Sequence, residues 1–200
     1  EAFDLYKVVS GFSSNVNYAG TAIYTIRGVG FQENSLATSP TVSVYLDEAP
    51  LQFSPMTRGA SLDVQRVEVL KGPQGTLFGQ NATGGAVNFI ANKPTSEFEA
   101  GATLSYGKYD SVDIDGFVSG PINDAWGYRV ALRSQTSDDW QKSYVDGQEA
   151  GEKDEFAYRA TLAYDNEERM RLLLTLSGFT NESDTLRPQL AGKISQNPIN

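Results

Sequence analysis

From Ala100 onward the chain alternates apolar and polar positions with period two. Ala100, Ala102, Leu104 and Tyr106 fall on one face, with Gly101, Thr103, Ser105 and Gly107 on the other. The same alternation runs through Val112–Ser119, Trp126–Arg133, Phe156–Tyr164 and Met170–Ser177. Five strands are predicted, each with one apolar face and one mostly polar face. Before Lys93–Ser96 the pattern is shorter and mixed. Phe3, Leu5, Val8 and Val9 keep rough helical spacing, and Ala22–Val29 and Thr41–Leu46 read as strands. Leu51–Ala60 reads as a loop, and Ser61-Leu62-Asp63 as the cap of one helical turn. Two more strands pass through Val67–Leu70 and through Val87, Phe89 and Ile90. The chain therefore divides into an α+β part, residues 1–94, and an antiparallel part, residues 95–200.

A soluble antiparallel sheet and a membrane barrel both produce the second pattern. Two details favour the barrel. Aromatics stand at strand ends (Tyr106, Trp126, Tyr128, Phe156, Tyr164), where interfacial girdles lie. The arginines within the predicted strands all fall on the polar face; on a lipid face each would cost roughly 2–4 kcal/mol at the midplane. Connection lengths point the same way. Residues 120–125 and 165–169 are short links on one side, while 136–155 is a long polar one on the other. The link at 108–111 is also short. Five strands cannot close a barrel, and closure is how membrane sheets satisfy their backbones, so the chain is expected to be an internal fragment.

Charge is uneven. The 16 basic and 25 acidic side chains leave a net charge of −9. Residues 1–94 carry seven acids and six bases, and residues 95–200 eighteen and ten. This balance argues against a nucleic-acid partner. The absence of cysteine removes disulfides and thiolate metal sites. The absence of histidine removes the commonest general base and transition-metal ligand. Neither a catalytic constellation nor a cofactor site is expected. Lys71-Gly72-Pro73-Gln74-Gly75 has its lysine before the glycines, and Gly28-Val29-Gly30 lacks a third glycine, so neither is a nucleotide cradle. No signal peptide opens the chain, and no apolar run reaches the length of a transmembrane helix.

The most informative stretch is Asp63–Pro94, DVQRVEVLKGPQGTLFGQNATGGAVNFIANKP. Apolar strands flank a Lys-Gly-Pro turn and a small-residue segment with Gly75, Gly79, Gly84 and Gly85. With Ile26-Arg27-Gly28 upstream, it resembles the plug domain of TonB-dependent outer-membrane receptors, energised importers of iron chelates, vitamin B12 and some sugars. That resemblance implies a mainly β fold: the C-terminal portion of an α+β plug, then the first antiparallel strands of a 22-stranded transmembrane β-barrel.

It also implies roles for particular residues. Arg27 and Lys71, with Glu68 beside the second, fall at the positions that lock the plug to glutamates of the barrel wall, although Lys71 lacks the bidentate fork of an arginine. Gln32, Asn34, Gln52, Phe53, Met56 and Arg58 lie on loops that in the family meet the ligand. TonB is implied as partner through an N-terminal box expected before Glu1, outer-membrane lipid as the surroundings, and a small-molecule or chelate ligand as cargo. Asp47-Glu48 stands where the family usually has Asp-Gly. Because Asp-Glu does not favour a primed hairpin turn, another turn type is expected there. Two other classes compete: a soluble β-rich binding or structural protein, and a carboxylate glycosidase using Asp113 and Asp115.

Overall fold

The computed structural model describes residues 5, 7–16, 21–30, 40–75, 82–143, 147–166 and 170–184. Leu5 begins a single turn in which its carbonyl accepts from the N–H groups of Val8 and Val9. Strands β1 (Phe12–Val16) and β2 (Ala22–Ile26) pair antiparallel. The expected strand through Val29 stops at Ile26, because Arg27 and Gly28 turn with φ of 52° and 79°. Ile26 and Val29 exchange backbone hydrogen bonds of 3.0 and 2.9 Å across that turn.

Strands β3 (Val42–Leu46) and β4 (Ala49–Leu51) lead to a 3-10 helix, Ser54–Ser61. Strands β5 (Val64–Lys71) and β6 (Gly85–Ala91) complete a sheet of order β4-β3-β6-β5. Within it β6 runs parallel to β3 and antiparallel to β5. Seven buried residues in succession make β6 the centre of this layer. Gly85 is required at its start: φ is +141°, and a Cβ there would lie 2.3 Å from the Leu70 carbonyl oxygen. Phe12, Tyr24, Ile26, Val42, Val44, Val87 and Phe89 form the core, closed by Ala60 of the helix. Burial there pushes the Tyr24 hydroxyl pKa up to about 12.

Two sequence expectations fail in this layer. The stretch 51–60 is not simply loop; most of it is helical, with Pro55 in the first turn supplying a ready-made φ. Ser61 ends that helix rather than capping a turn of its own. The second correction concerns Asp47-Glu48, which does form a two-residue turn with positive φ at both positions, 47° and 68°, as in type I′. Side chains enforce it. Asp47 Oδ1 accepts the Ala91 N–H at 2.9 Å, and Asn88 Oδ1 accepts the Glu48 N–H at 3.2 Å.

The second layer holds β7 (Glu99–Tyr106), β8 (Val112–Pro121), β9 (Trp126–Ser137), β12 (Lys153–Asp165) and β13 (Arg171–Asn181), hydrogen-bonded in that order. All five alternating blocks are strands, most of them longer than the pattern required. The long polar link contains a small hairpin, β10 (Gln141–Lys142) with β11 (Glu149–Ala150). Antiparallel registers put residues 107–111 and the long link at one end of the sheet, and the 121–125 turn at the other. Arg129, Arg133 and Arg159 share the face that meets the first layer. Leu104, Leu174 and Leu176 face away from it, 62–72 % exposed.

Glu48 holds a left-handed conformation that disfavours a Cβ by roughly 1 kcal/mol. Glu48→Gly is therefore expected to raise the unfolding midpoint in thermal melts by a corresponding small amount, while Asp47→Ala, which removes the bond to Ala91, lowers it.

Candidate functional site

Where the two layers meet, side chains of opposite charge come together from distant parts of the chain. Asp63 follows the 3-10 helix with φ of 48°, which turns its carboxylate toward the five-stranded sheet. Arg129 of β9 grips it bidentately, Nε to Oδ2 and Nη2 to Oδ1, both at 2.6 Å. The two side chains are only 6 % and 9 % exposed, so the pair is largely buried, with Asp63 at the edge of a cavity. Asn92 Nδ2 donates to Asp63 Oδ1 at 2.9 Å, and the Arg129 guanidinium lies 4.1 Å over the Phe117 ring. Gly101 makes room for that ring, since a Cβ there would come within 2.7 Å of it.

One strand over, Arg159 donates from Nη1 to the Leu62 carbonyl and from Nη2 to the Gly59 carbonyl at 3.3 Å. A cation from the wall thus satisfies carbonyls at the C-terminal end of the helix, where positive charge is favoured. Arg133 donates to Ser61 Oγ at 3.3 Å and to Asp115 Oδ1 at 2.6 Å. Closer to the long link, Arg58 reaches Glu155 at 3.1 Å, with both side chains partly accessible. Glu155 also accepts from Asn181 Nδ2 and lies 3.6 Å from Lys153.

Above these contacts lies an open cavity of about 820 Å³. Thr57, Arg58 and Ser61 line it on one side; Asp115, Arg133, Gln135, Lys153 and Phe179 line it on the other. Arg58 pairs with Glu155 across the two layers, and Arg133 with Asp115 and Lys153 with Glu155 within the wall, rather than standing poised as nucleophile and base. The arrangement suits holding and binding.

The residues singled out from sequence have different fates. Arg58 lines the cavity, whereas Gln52, Phe53 and Met56 are exposed. Gln32 and Asn34 lie outside the described residues. Arg27 sits exposed at the tip of its turn and Lys71 is exposed at the end of β5; among the described residues no carboxylate forms an ion pair with either. Glu68 pairs with Arg66 at 2.8 Å and accepts from Asn88 at 3.3 Å, so its bonds stay within the first layer. The Arg66 guanidinium beside it holds its carboxyl below the usual carboxylate range. Asp63, Asn92, Arg129, Arg159 and Glu155 carry the junction, and sequence reasoning assigned none of them a role there. The signal available was the placement of Arg129, Arg133 and Arg159 on the polar face.

The sequence pattern of the TonB-dependent Receptor Plug Domain matches residues 2–86. Residues 2–86, a little under half of the chain, therefore belong to the plug family of TonB-dependent receptors. It is similar to the pesticin receptor of Yersinia enterocolitica, with 35 % identity over 128 residues covering 62 % of this chain and 19 % of that protein. The chain thus spans about a fifth of that relative's length. Among solved structures, the ferric yersiniabactin uptake receptor FyuA from Yersinia pestis superposes with a TM-score of 0.74 at 27 % identity, covering 89 % of this chain and 28 % of FyuA. The pyoverdine outer membrane receptor FpvA from Pseudomonas aeruginosa shares the fold, with a TM-score of 0.67 at 24 % identity over 89 % of this chain and 25 % of its own. TonB-dependent receptors combine a plug with a membrane β-barrel, and the two layers here correspond to the plug and the start of that barrel. The outward face exposes Leu104, Ile114, Leu132, Leu174 and Leu176, an apolar surface of the kind that marks a membrane or protein contact and that the soluble β-protein alternative leaves unexplained. The family consists of transport receptors, which leaves the glycosidase alternative without support.

Removing one partner of a buried pair leaves an uncompensated ion. Arg129→Met and Asp63→Asn are each expected to destabilise the fold by about 3–5 kcal/mol in denaturant titrations. The double variant is expected to cost clearly less than the two losses added together.

Proposed function

We propose that residues 1–94 are plug and residues 95–200 the first wall strands of an outer-membrane receptor that binds a siderophore-bound iron complex from outside and imports it with TonB-coupled energy. The observation that carries this reading is the docking of a plug fold, through Asp63 and Arg129, onto the polar face of a sheet whose other face is apolar. Proteins named for ferric yersiniabactin and ferripyoverdine, to which this chain is similar, favour an iron chelate over a vitamin B12-like or carbohydrate cargo. In this reading the end of the sheet bearing the long acidic link faces the cell exterior, where surface loops of such barrels are longer. The cavity opens there, and Arg58 is the plug residue best placed to touch cargo, with Gln52, Phe53 and Met56 on the adjoining exposed segment. Arg27 and Lys71 await wall carboxylates supplied by strands beyond β13. TonB engages the receptor by strand addition at an N-terminal box. Import consists of shifting the plug between seated and displaced states, which differential binding energy drives without bond-making chemistry.

The test is uptake. Under iron limitation, cells lacking the receptor are expected to lose accumulation of at least one labelled ferric siderophore from a chemically varied panel. Cells lacking TonB should show the same loss. Unchanged uptake of every chelate would refute the iron reading. The membrane orientation has its own test. Leu174→Arg, on the outward face, is expected to cost roughly 2–4 kcal/mol and lower the yield of membrane-inserted receptor, while Thr175→Arg on the inward face leaves the yield nearly unchanged.

A further inference from the structure

The contacts between plug and wall fall into two kinds by solvent access. Toward the long link, Arg58–Glu155 is reached by water, with side chains 17 % and 28 % exposed. Toward the opposite end, Asp63–Arg129 is more deeply buried, 9 % and 6 % exposed with Asp63 at the cavity edge, and Arg159 stands beside it on the carbonyls of Gly59 and Leu62. Asp63 also gathers the chain leaving β6. Its backbone carbonyl accepts the Asn92 N–H at 3.0 Å, and its carboxylate accepts from the Asn92 side chain. Three residues later the Thr95 N–H donates to Ser119 Oγ at 3.0 Å, and the two hydroxyl oxygens lie 2.9 Å apart. Ser119 is wholly buried and bonds in turn to the Tyr128 carbonyl at 3.2 Å. The start of β5, the exit from β6 and three wall strands are therefore tied at one level of the sheet.

We propose that this junction, Asp63 and Asn92 of the plug against Arg129 and Arg159 of the wall, continued by the linker residue Thr95 on Ser119, is a permanent fastening that stays closed throughout transport. The inference rests on the receptor reading above and adds where the plug does not move. Opening the junction would leave a guanidinium and a carboxylate buried without their ionic partners, together with the Leu62 carbonyl stripped of its Arg159 donor. The accessible Arg58–Glu155 contact has water to replace either partner, so it parts far more readily. Displacement of the plug must then open a path elsewhere around its rim, with the exit linker acting as a fixed tether. The polarity of the fastening, plug acid to wall arginine, is opposite to that implied for the motif cations Arg27 and Lys71.

A crosslink tests the linker end of this fastening, and a leak comparison tests the plug-to-wall ion pair itself. The 2.9 Å separation of the Thr95 and Ser119 oxygens brings sulfurs at those positions within reach of bonding after small adjustments, and the chain has no cysteine to compete. In the receptor carrying Thr95→Cys and Ser119→Cys, oxidised protein is expected to import a ferric siderophore within about twofold of the reduced rate. A fall of about tenfold or more on oxidation, reversed by reductant, overturns the proposal. The second measurement is passive leak in Arg129→Met, compared with Glu155→Gln at the accessible contact. Entry of a glycopeptide antibiotic too large for general porins is expected to rise about tenfold in Arg129→Met and little in Glu155→Gln. Equal leak through both variants overturns the proposal. Should Arg129→Met fail to reach the membrane, Asn92→Ala takes its place: greater leak than Glu155→Gln supports the fastening, and equal leak overturns it. If the unaltered receptor imports no chelate, the receptor reading fails, and the leak comparison still decides the fastening.

Discussion

The rest of the molecule is arranged around one buried ion pair. Taking Asp63 and Arg129 out of water is costly, and their attraction offsets that cost only when geometry is close and remaining donors and acceptors are filled. Both conditions hold here: the fork is bidentate at 2.6 Å, Asn92 fills a further acceptor site on the carboxylate, and the Phe117 ring lies against the guanidinium face. Several local features follow from this. Asp63 adopts a positive φ, Gly101 leaves space for the ring, and Arg159 meets the helix end where its carbonyls point at the wall. Each would be unfavourable or purposeless in isolation.

The five-stranded sheet inverts the usual distribution of polarity. Its apolar face looks away from the first layer and its arginines look toward it, so the interface cannot be an oil-like core. It is built from directional contacts instead, Arg58–Glu155, Arg133–Ser61 and Arg159–Gly59 among them. Such contacts need only local matching and leave gaps between them, which is how a cavity of about 820 Å³ coexists with a firmly docked domain. A plug that must hold and yet be displaced is better served by this kind of interface than by a packed apolar one, because charged contacts of different burial differ widely in how readily they part.

Much of this was legible along the chain. The period-two blocks at Ala100–Tyr106 and Phe156–Tyr164 announced strands, and the even-numbered positions announced which face is apolar. The motif around Glu68–Pro73 pointed to the plug. Legibility ended where a residue's role depends on its partner. Asp63 reads locally as part of a cap, because acidic residues favour helix ends and turns, and nothing nearby betrays a cation 66 positions later. Asp47-Glu48 shows the same limit in reverse. Its intrinsic preference opposes a primed turn, and only the hydrogen bonds from β6, about forty residues downstream, make that turn hold.

The sequence alone determined the strand pattern, the sidedness of the sheet and the family, since periodicity and motif spacing are properties of neighbouring residues that survive without knowing the fold. Tertiary structure alone decided which ions meet, which of them lose water, and how the link after Ala91 is tied to the wall. Burial and pairing energies depend on distances between segments far apart in the chain. One plug carboxylate facing an arginine-bearing wall has many conceivable partners until docking selects Arg129.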